Sequence, residues 1–175
     1  QIAKFITNTD NNEIFVLKGY AGTGKTTVIS SIVNNLAEIN KKYVLLAPTG
    51  RAAKVIANYS HKPAFTIHKK IYFPKKNSGG GVSFTMQQNK HKNTFFIVDE
   101  ASMISDTNSE SKLYENGSLL DDLISYIYSG TNCKMVLLGD TAQLPPVNLD
   151  ISPALNIDSL GMNSDKEVKH IALDA

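Results

Sequence analysis

Four short apolar runs constrain this chain more than anything else in it: "EIFVLKG", "KYVLLAP", "TFFIVDE" and "KMVLLGD". Each is crowded with Val, Ile, Leu or Phe, and none alternates polar with apolar residues. Strands covered on both faces read this way, and such strands belong to parallel sheets with helices on either side. The helices are legible too. In "TTVISSIVNNLAEINK", Val28, Ile29, Ile32, Val33, Leu36 and Ile39 recur at helical spacing. In "SLLDDLISYIY", Leu119, Leu120, Leu123, Ile124 and Ile127 share one face, with Gly130 as a stop signal. Alternating strands and helices predict an α/β fold, and "VKHIAL" offers one more strand. At 175 residues the chain is long enough for one domain with its own core.

Each run ends in a polar cluster: "GYAGTGKTT", "APTGRAAK", "DEAS" and "GDTAQLPPV". Open α/β sheets bind ligands outside the carboxyl ends of their strands, so four such clusters predict one shared site. The first fits G-x-x-x-x-G-K-[ST] from Gly19 to Thr26, follows a strand and opens a helix. Glycines let the backbone wrap closely around phosphates, and the N–H groups at a helix start favour negative charge. Gly22, Thr23, Gly24, Lys25, Thr26 and Thr27 are therefore nucleotide-binding candidates. Lys25 would reach the β- and γ-phosphates, Thr26 would ligate Mg²⁺, and Thr27 would support the α-phosphate region. After "FFIV", Asp99 brings a carboxylate toward the metal, and Glu100 can accept a proton from an attacking water. The plainer reading of this pair is a helix cap by Asp99 or Ser102. Gln143, three residues past Asp140, has an amide able to bridge a γ-phosphate or the lytic water to a neighbouring site, and Pro145 and Pro146 stiffen the exit.

Charge is lopsided. The net charge is only +2, yet Ile39 to Val98 holds eleven Lys or Arg and no Asp or Glu, while the remainder holds seven basic and sixteen acidic residues. The two parts carry +11 and −9. Such a segment either faces a polyanion or is a solvated lysine-rich surface. Within it, "KKIYFPKKNSGGGVSFTMQQNKHK" reads as a β-hairpin with a flexible tip, or as a loop without order, over residues 71–93.

The series "GYAGTGKTT", "LLAPTGRAAKVI", "TIH", "FFIVDEASMI" and "GDTAQLPPV", in this order from about Ile14 to Val147, resembles motifs I, Ia, Ib, II and III of superfamily 1 helicases. The similarity is to the RecD-like group, which includes the phage Dda-type enzymes. The resemblance implies a RecA-like P-loop NTPase domain spanning 1–175, with residues 71–93 as an inserted β-structured wedge or pin. It implies ATP and Mg²⁺ as cofactors and an ATP-dependent DNA helicase moving 5′ to 3′. Lys25, Glu100 and Gln143 would be catalytic, with Gln143 coupling the γ-phosphate to DNA contacts. Thr26 and Asp99 would hold Mg²⁺. Pro48, Thr49, Gly50, Arg51, Thr66 and His68 would lie on a single-stranded DNA track. Gln1 resembles the family's adenine-reading glutamine, with Phe5 at a matching apolar position. The segment 71–93 is short for a pin and has no Trp at its "KKNSGGG" tip.

From the residues themselves, His68 either contacts a DNA backbone or is a polar group at an element's end. Tyr72 and Phe73 either stack on bases or are buried. The family's second RecA-like domain supplies arginines to the ATP site. "VKHIALDA" resembles the strand ahead of that domain, so the expectation is that this chain alone binds ATP, turns it over slowly and does not unwind DNA. Two other readings remain open: another P-loop NTPase, or a DNA-binding module with a vestigial nucleotide site. A GTPase needs an N-K-x-D guanine reader, and neither "NKKY" nor "NKHK" has the aspartate. The single cysteine, Cys133, rules out an internal disulfide and reads as a small buried hydrophobe. No apolar run is long enough to span a bilayer, so the expectation is a soluble, cytoplasmic, reducing setting with no membrane partner.

Overall fold

The computed structural model describes residues 1–20, 22–76, 78–80, 82–104, 113–142 and 152–173. In chain order the elements are α1 (Ile2–Thr7), β1 (Glu13–Gly19), α2 (Lys25–Glu38), β2 (Lys42–Ala47), α3 (Gly50–Ser60), β3 (Ala64–Thr66), α4 (Ile67–Ile71), β4 (Tyr72–Lys76), β5 (Val82–Met86), β6 (Thr94–Val98), α5 (Leu119–Tyr128), β7 (Lys134–Asp140), α6 (Ile157–Ser164) and β8 (Glu167–Leu173). Single 3₁₀ turns lie at Ala101–Met103 and Pro153–Leu155. Six strands form one sheet in the order β3-β2-β6-β7-β1-β8, every neighbouring pair parallel. This is the α/β arrangement expected from the four apolar runs, and it has the RecA-like form that the family resemblance implies.

The two faces explain why those runs do not alternate. Ile14, Val16, Val44, Leu46, Phe96, Val98, Met135 and Leu137 enter one core with residues of α4, α5 and α6. Their chain neighbours Phe15, Leu17, Leu45, Ala47, Phe95, Ile97, Val136 and Leu138 enter the other core with α1, α2 and α3. Side chains alternate across a strand, so a strand covered on both faces must be apolar at every step. The two predicted helices are α2 and α5. In α2 the buried stripe is Ile29, Ile32, Val33 and Leu36, whereas Ile39 is the C-cap and half exposed. In α5 burial extends beyond the apolar stripe to Asp122 and Tyr126. "VKHIAL" lies in β8 at a sheet edge.

The hairpin expected in residues 71–93 is present. β4 and β5 pair antiparallel from Tyr72↔Met86 to Lys76↔Val82, apart from the main sheet. Its base is tied to the body. The buried Tyr72 hydroxyl donates to Asp122 Oδ2 at 2.5 Å, and Met86 N donates to Glu115 Oε1 at 2.9 Å. Asp122 also accepts from the Asn116 amide N–H at 2.7 Å and the Glu115 N–H at 3.1 Å. Of the open pair Tyr72 and Phe73, the first is buried and the second is 59% exposed. Cys133 is buried, and burial pushes its thiol above the usual range. No described helix is long and apolar enough to cross a membrane.

Candidate nucleotide and nucleic-acid site

The loop after β1 is shaped by its glycines. A Cβ on Gly19 would lie 2.6 Å from Thr23 Oγ1, in the place where Thr23 folds back to donate to the Tyr20 carbonyl at 2.7 Å. Gly24 takes a left-handed φ of 84° as the N-cap of α2 and brings no side chain to cap that helix. Other residues strain in that region, and an ordinary cap would cover the first-turn N–H groups. Gly22, at φ 81°, shares the conformation. The Lys25 ammonium lies over the loop, donating to the carbonyls of Gly19 at 3.0 Å and Tyr20 at 2.8 Å. Thr26 and Thr27 are exposed on the first turn of α2. An uncapped helix start beside a lysine suits a phosphate group.

Strand order brings the acidic groups to this lysine. β7 lies beside β1 with Gly19 opposite Asp140. The buried Asp140 carboxylate approaches Lys25 Nζ at 3.9 Å and accepts from the Ala142 N–H at 2.8 Å. β6 lies on the other side of β7 and ends at Val98, so Asp99 emerges at the same edge of the sheet. Burial pushes the Asp99 carboxyl above its usual range, against the pull of the Glu100 N–H, the Tyr59 hydroxyl and the Lys25 charge. The Glu100 N–H donates to Asp99 Oδ1 at 2.9 Å, and the Tyr59 hydroxyl donates to Oδ2 at 3.1 Å. Glu100 itself has a left-handed φ of 53°, a conformation that costs a non-glycine residue about 1 kcal/mol or more. The 3₁₀ turn at Ala101–Met103 has Glu100 as its N-cap, with no side-chain cap bond. The Thr26 hydroxyl and the Asp99 carboxylate are hard oxygen donors, of the type that suits Mg²⁺.

A family model described as an AAA domain matches residues 3–149. The chain belongs to that family. Its sequence is 27% identical over 143 residues to the ATP-dependent RecD2 DNA helicase of Deinococcus radiodurans, covering 78% of this chain and 17% of that protein. It is 30% identical over 134 residues to the ATP-dependent DNA helicase dda of Enterobacteria phage T4, covering 75% of this chain and 28% of that protein. The chain thus spans less than a third of the length of either relative. In fold it matches the Pif1 helicase of Candida albicans with a TM-score of 0.55 at 20% identity, covering 94% of this chain and 36% of that one. This AAA domain is of the superfamily 1, RecD- and Dda-like helicase kind.

The residues predicted for a nucleic-acid track occupy the ends of β2 and β3, which lie side by side with Ala47 opposite Thr66. Thr49 caps α3 by accepting from Ala52 N at 3.2 Å, and Thr66 caps α4 by accepting from Lys69 N at 3.3 Å. Pro48 is half-buried, while Gly50 and Arg51 are exposed on the first turn of α3. His68 is half-buried among Tyr72, Phe84 and Tyr114, with its Nε2 3.3 Å from the Tyr114 hydroxyl. That links it to the hairpin base. Gln1 lies at the N-terminus of α1, in a cleft shared with Phe5, Glu13, Phe15 and Lys169, none of them in the phosphate loop. Gln143, Pro145 and Pro146 fall outside the described residues. None of the eleven basic residues between Ile39 and Val98 forms an ion pair among the described residues.

Sequence reasoning missed two members of this AAA domain's site. Tyr59, on the last turn of α3, carries no signal in "ANYS"; only the packing of α3 against the sheet brings it to Asp99. Asp140 was visible as the end of a strand, but its contact with Lys25 depends on β7 lying next to β1, which no local pattern reveals.

Proposed function

We propose that this AAA domain is the ATP-binding motor domain of an ATP-dependent DNA helicase, which couples hydrolysis to movement along single-stranded DNA from 5′ to 3′. The observation that carries the reading is the meeting of Lys25, Asp99 and Asp140 at one edge of the sheet, beside an uncapped start of α2. Lys25 and the first-turn N–H groups of α2 hold phosphates, and Thr26 and Asp99 hold Mg²⁺. Bound Mg²⁺ supplies charge neutralisation at the phosphates. Glu100, next to the metal ligand on a turned backbone, takes the proton of the attacking water. Asp140 keeps the Lys25 ammonium aimed at the loop. The named activities of RecD2 and dda support the choice of a DNA helicase, and the basic segment, which forms no ion pair among the described residues, supports a polyanionic partner.

The same reading includes a second RecA-like domain that brings an arginine to the γ-phosphate. Such an arginine is worth about 10³–10⁵ in rate. This chain by itself then binds ATP, hydrolyses it slowly and does not separate strands. Calorimetric titration with a non-hydrolysed ATP analogue and Mg²⁺ tests the site. Lys25→Ala is expected to weaken binding at least about tenfold at unchanged Tm. Equal affinity in the two proteins would remove Lys25 from the site.

A further inference from the structure

Beside the free edge of β3, between α4 and the base of the hairpin, lies a cleft of about 580 Å³. Its wall includes Phe65, Lys69, Lys70, Phe73, Lys90 and His91, and no carboxylate lines it. We propose that this cleft is a second contact for single-stranded nucleic acid, taking one base against Phe65 and Phe73 and its flanking phosphates on Lys69, Lys70 and Lys90. The inference rests on the reading of this chain as a nucleic-acid motor, and it adds a site apart from Pro48–Arg51, Thr66 and His68.

Three features carry it. First, two aromatic rings stand open to solvent at one concavity, Phe65 at 39% and Phe73 at 59% exposure. Bases stack on such rings without regard to sequence. A duplex keeps its base faces covered, so the occupant is a single strand. Second, cations surround the rings. Lys70 Nζ sits 5.2 Å from the centre of the Phe65 ring, and burial together with the charges of Lys70 and Lys42 holds the His91 imidazole below its usual range. Third, the cleft is remote from the phosphate loop. β3 and β1 lie four strand spacings apart, about 19 Å. Successive strand residues point to opposite faces, so Phe65 looks away from Thr66. An acidic peptide would satisfy the lysines but would offer no flat partner for the rings.

The test uses this chain with a labelled 20-mer of thymidine. In a photo-crosslinking arm, one thymine is replaced by 5-iodouracil and the adducts are mapped by mass spectrometry; adducts on Phe65 or Phe73 are expected. In a binding arm, Phe65→Ala with Phe73→Ala is expected to weaken the 20-mer about 5- to 100-fold. Lys69→Gln, Lys70→Gln and Lys90→Gln together should reduce the slope of log K against log salt by about 2. All five side chains are surface groups, and an unchanged Tm checks the fold of each variant. Adducts confined to Pro48–Arg51 or His68, with unchanged affinity in both variants, would overturn the cleft and leave the motor reading standing. Absence of any 20-mer binding by the parent chain would overturn both. Displacement of the 20-mer by polyglutamate at equal charge concentration would overturn the cleft in favour of an acidic peptide.

Discussion

Glu100 is where backbone and chemistry meet most closely. Its left-handed φ would ordinarily fall to glycine or asparagine, yet a glutamate holds it, tied through its N–H to the neighbouring Asp99. In a motor complete enough to turn over ATP, Glu100→Gln should retain nucleotide binding and lose hydrolysis by at least about 10²-fold, measured by phosphate release. Unchanged turnover would take the role of base away from Glu100. Tyr59 acts one step back, holding Asp99 Oδ2 with its hydroxyl. Tyr59→Phe is expected to raise the Mg²⁺ concentration giving half-maximal turnover several-fold while leaving Mg²⁺-free nucleotide affinity alone. Equal losses with and without Mg²⁺ would make Tyr59 a packing residue only. Gly24 offers a backbone test. At φ 84°, Gly24→Ala should cost about 1–2 kcal/mol and disturb the phosphate loop, seen as a lower Tm and weaker analogue binding.

At the scale of elements, the hairpin depends on one buried carboxylate. Asp122 on α5 is fully buried and accepts from Tyr72, Glu115 and Asn116 at once, and burial with this contact pushes the Tyr72 hydroxyl above its usual range. Removing it strands the buried Tyr72 hydroxyl and takes the acceptor from two part-buried backbone N–H groups. Asp122→Ala is expected to cost about 3 kcal/mol and to lower Tm by roughly 6–12 °C. A change within 1–2 °C would mean that the hairpin base is held by its aromatic packing alone. This anchor also shows where local sequence stops being informative. Leu119, Leu120, Leu123, Ile124 and Ile127 announced α5 by their spacing, but that spacing says nothing of the aspartate among them. Its partner Tyr72 lies fifty residues away in sequence. The short elements β3 and α4 were equally silent, because three and five residues cannot show a period. Ile39 fitted the stripe of α2 by spacing, yet the helix ends at Glu38 and leaves it at the surface. By contrast, β1, β2, β6 and β7 were readable because burial on both faces writes itself into every position.

For the whole molecule, the parallel sheet brings the carboxyl ends of four strands, where the four sequence clusters begin, to one edge. Each cluster could be found by inspection, but their adjacency comes from the order β2-β6-β7-β1, which no spacing encodes. The basic segment was visible as a count and as one stretch of chain, which the fold builds into β2, α3, β3, α4, the hairpin and β6. In the proposed function this edge is half of a nucleic-acid-driven ATP site. The most direct test is steady-state ATP hydrolysis, with and without a thymidine 20-mer, by this chain and by a form of the protein that includes a second motor domain. The account predicts little turnover by this chain in either condition and strong stimulation by the 20-mer in the longer form. Equal turnover by both forms, indifferent to the 20-mer, would contradict it and would mark the domain as a self-contained NTPase of another kind.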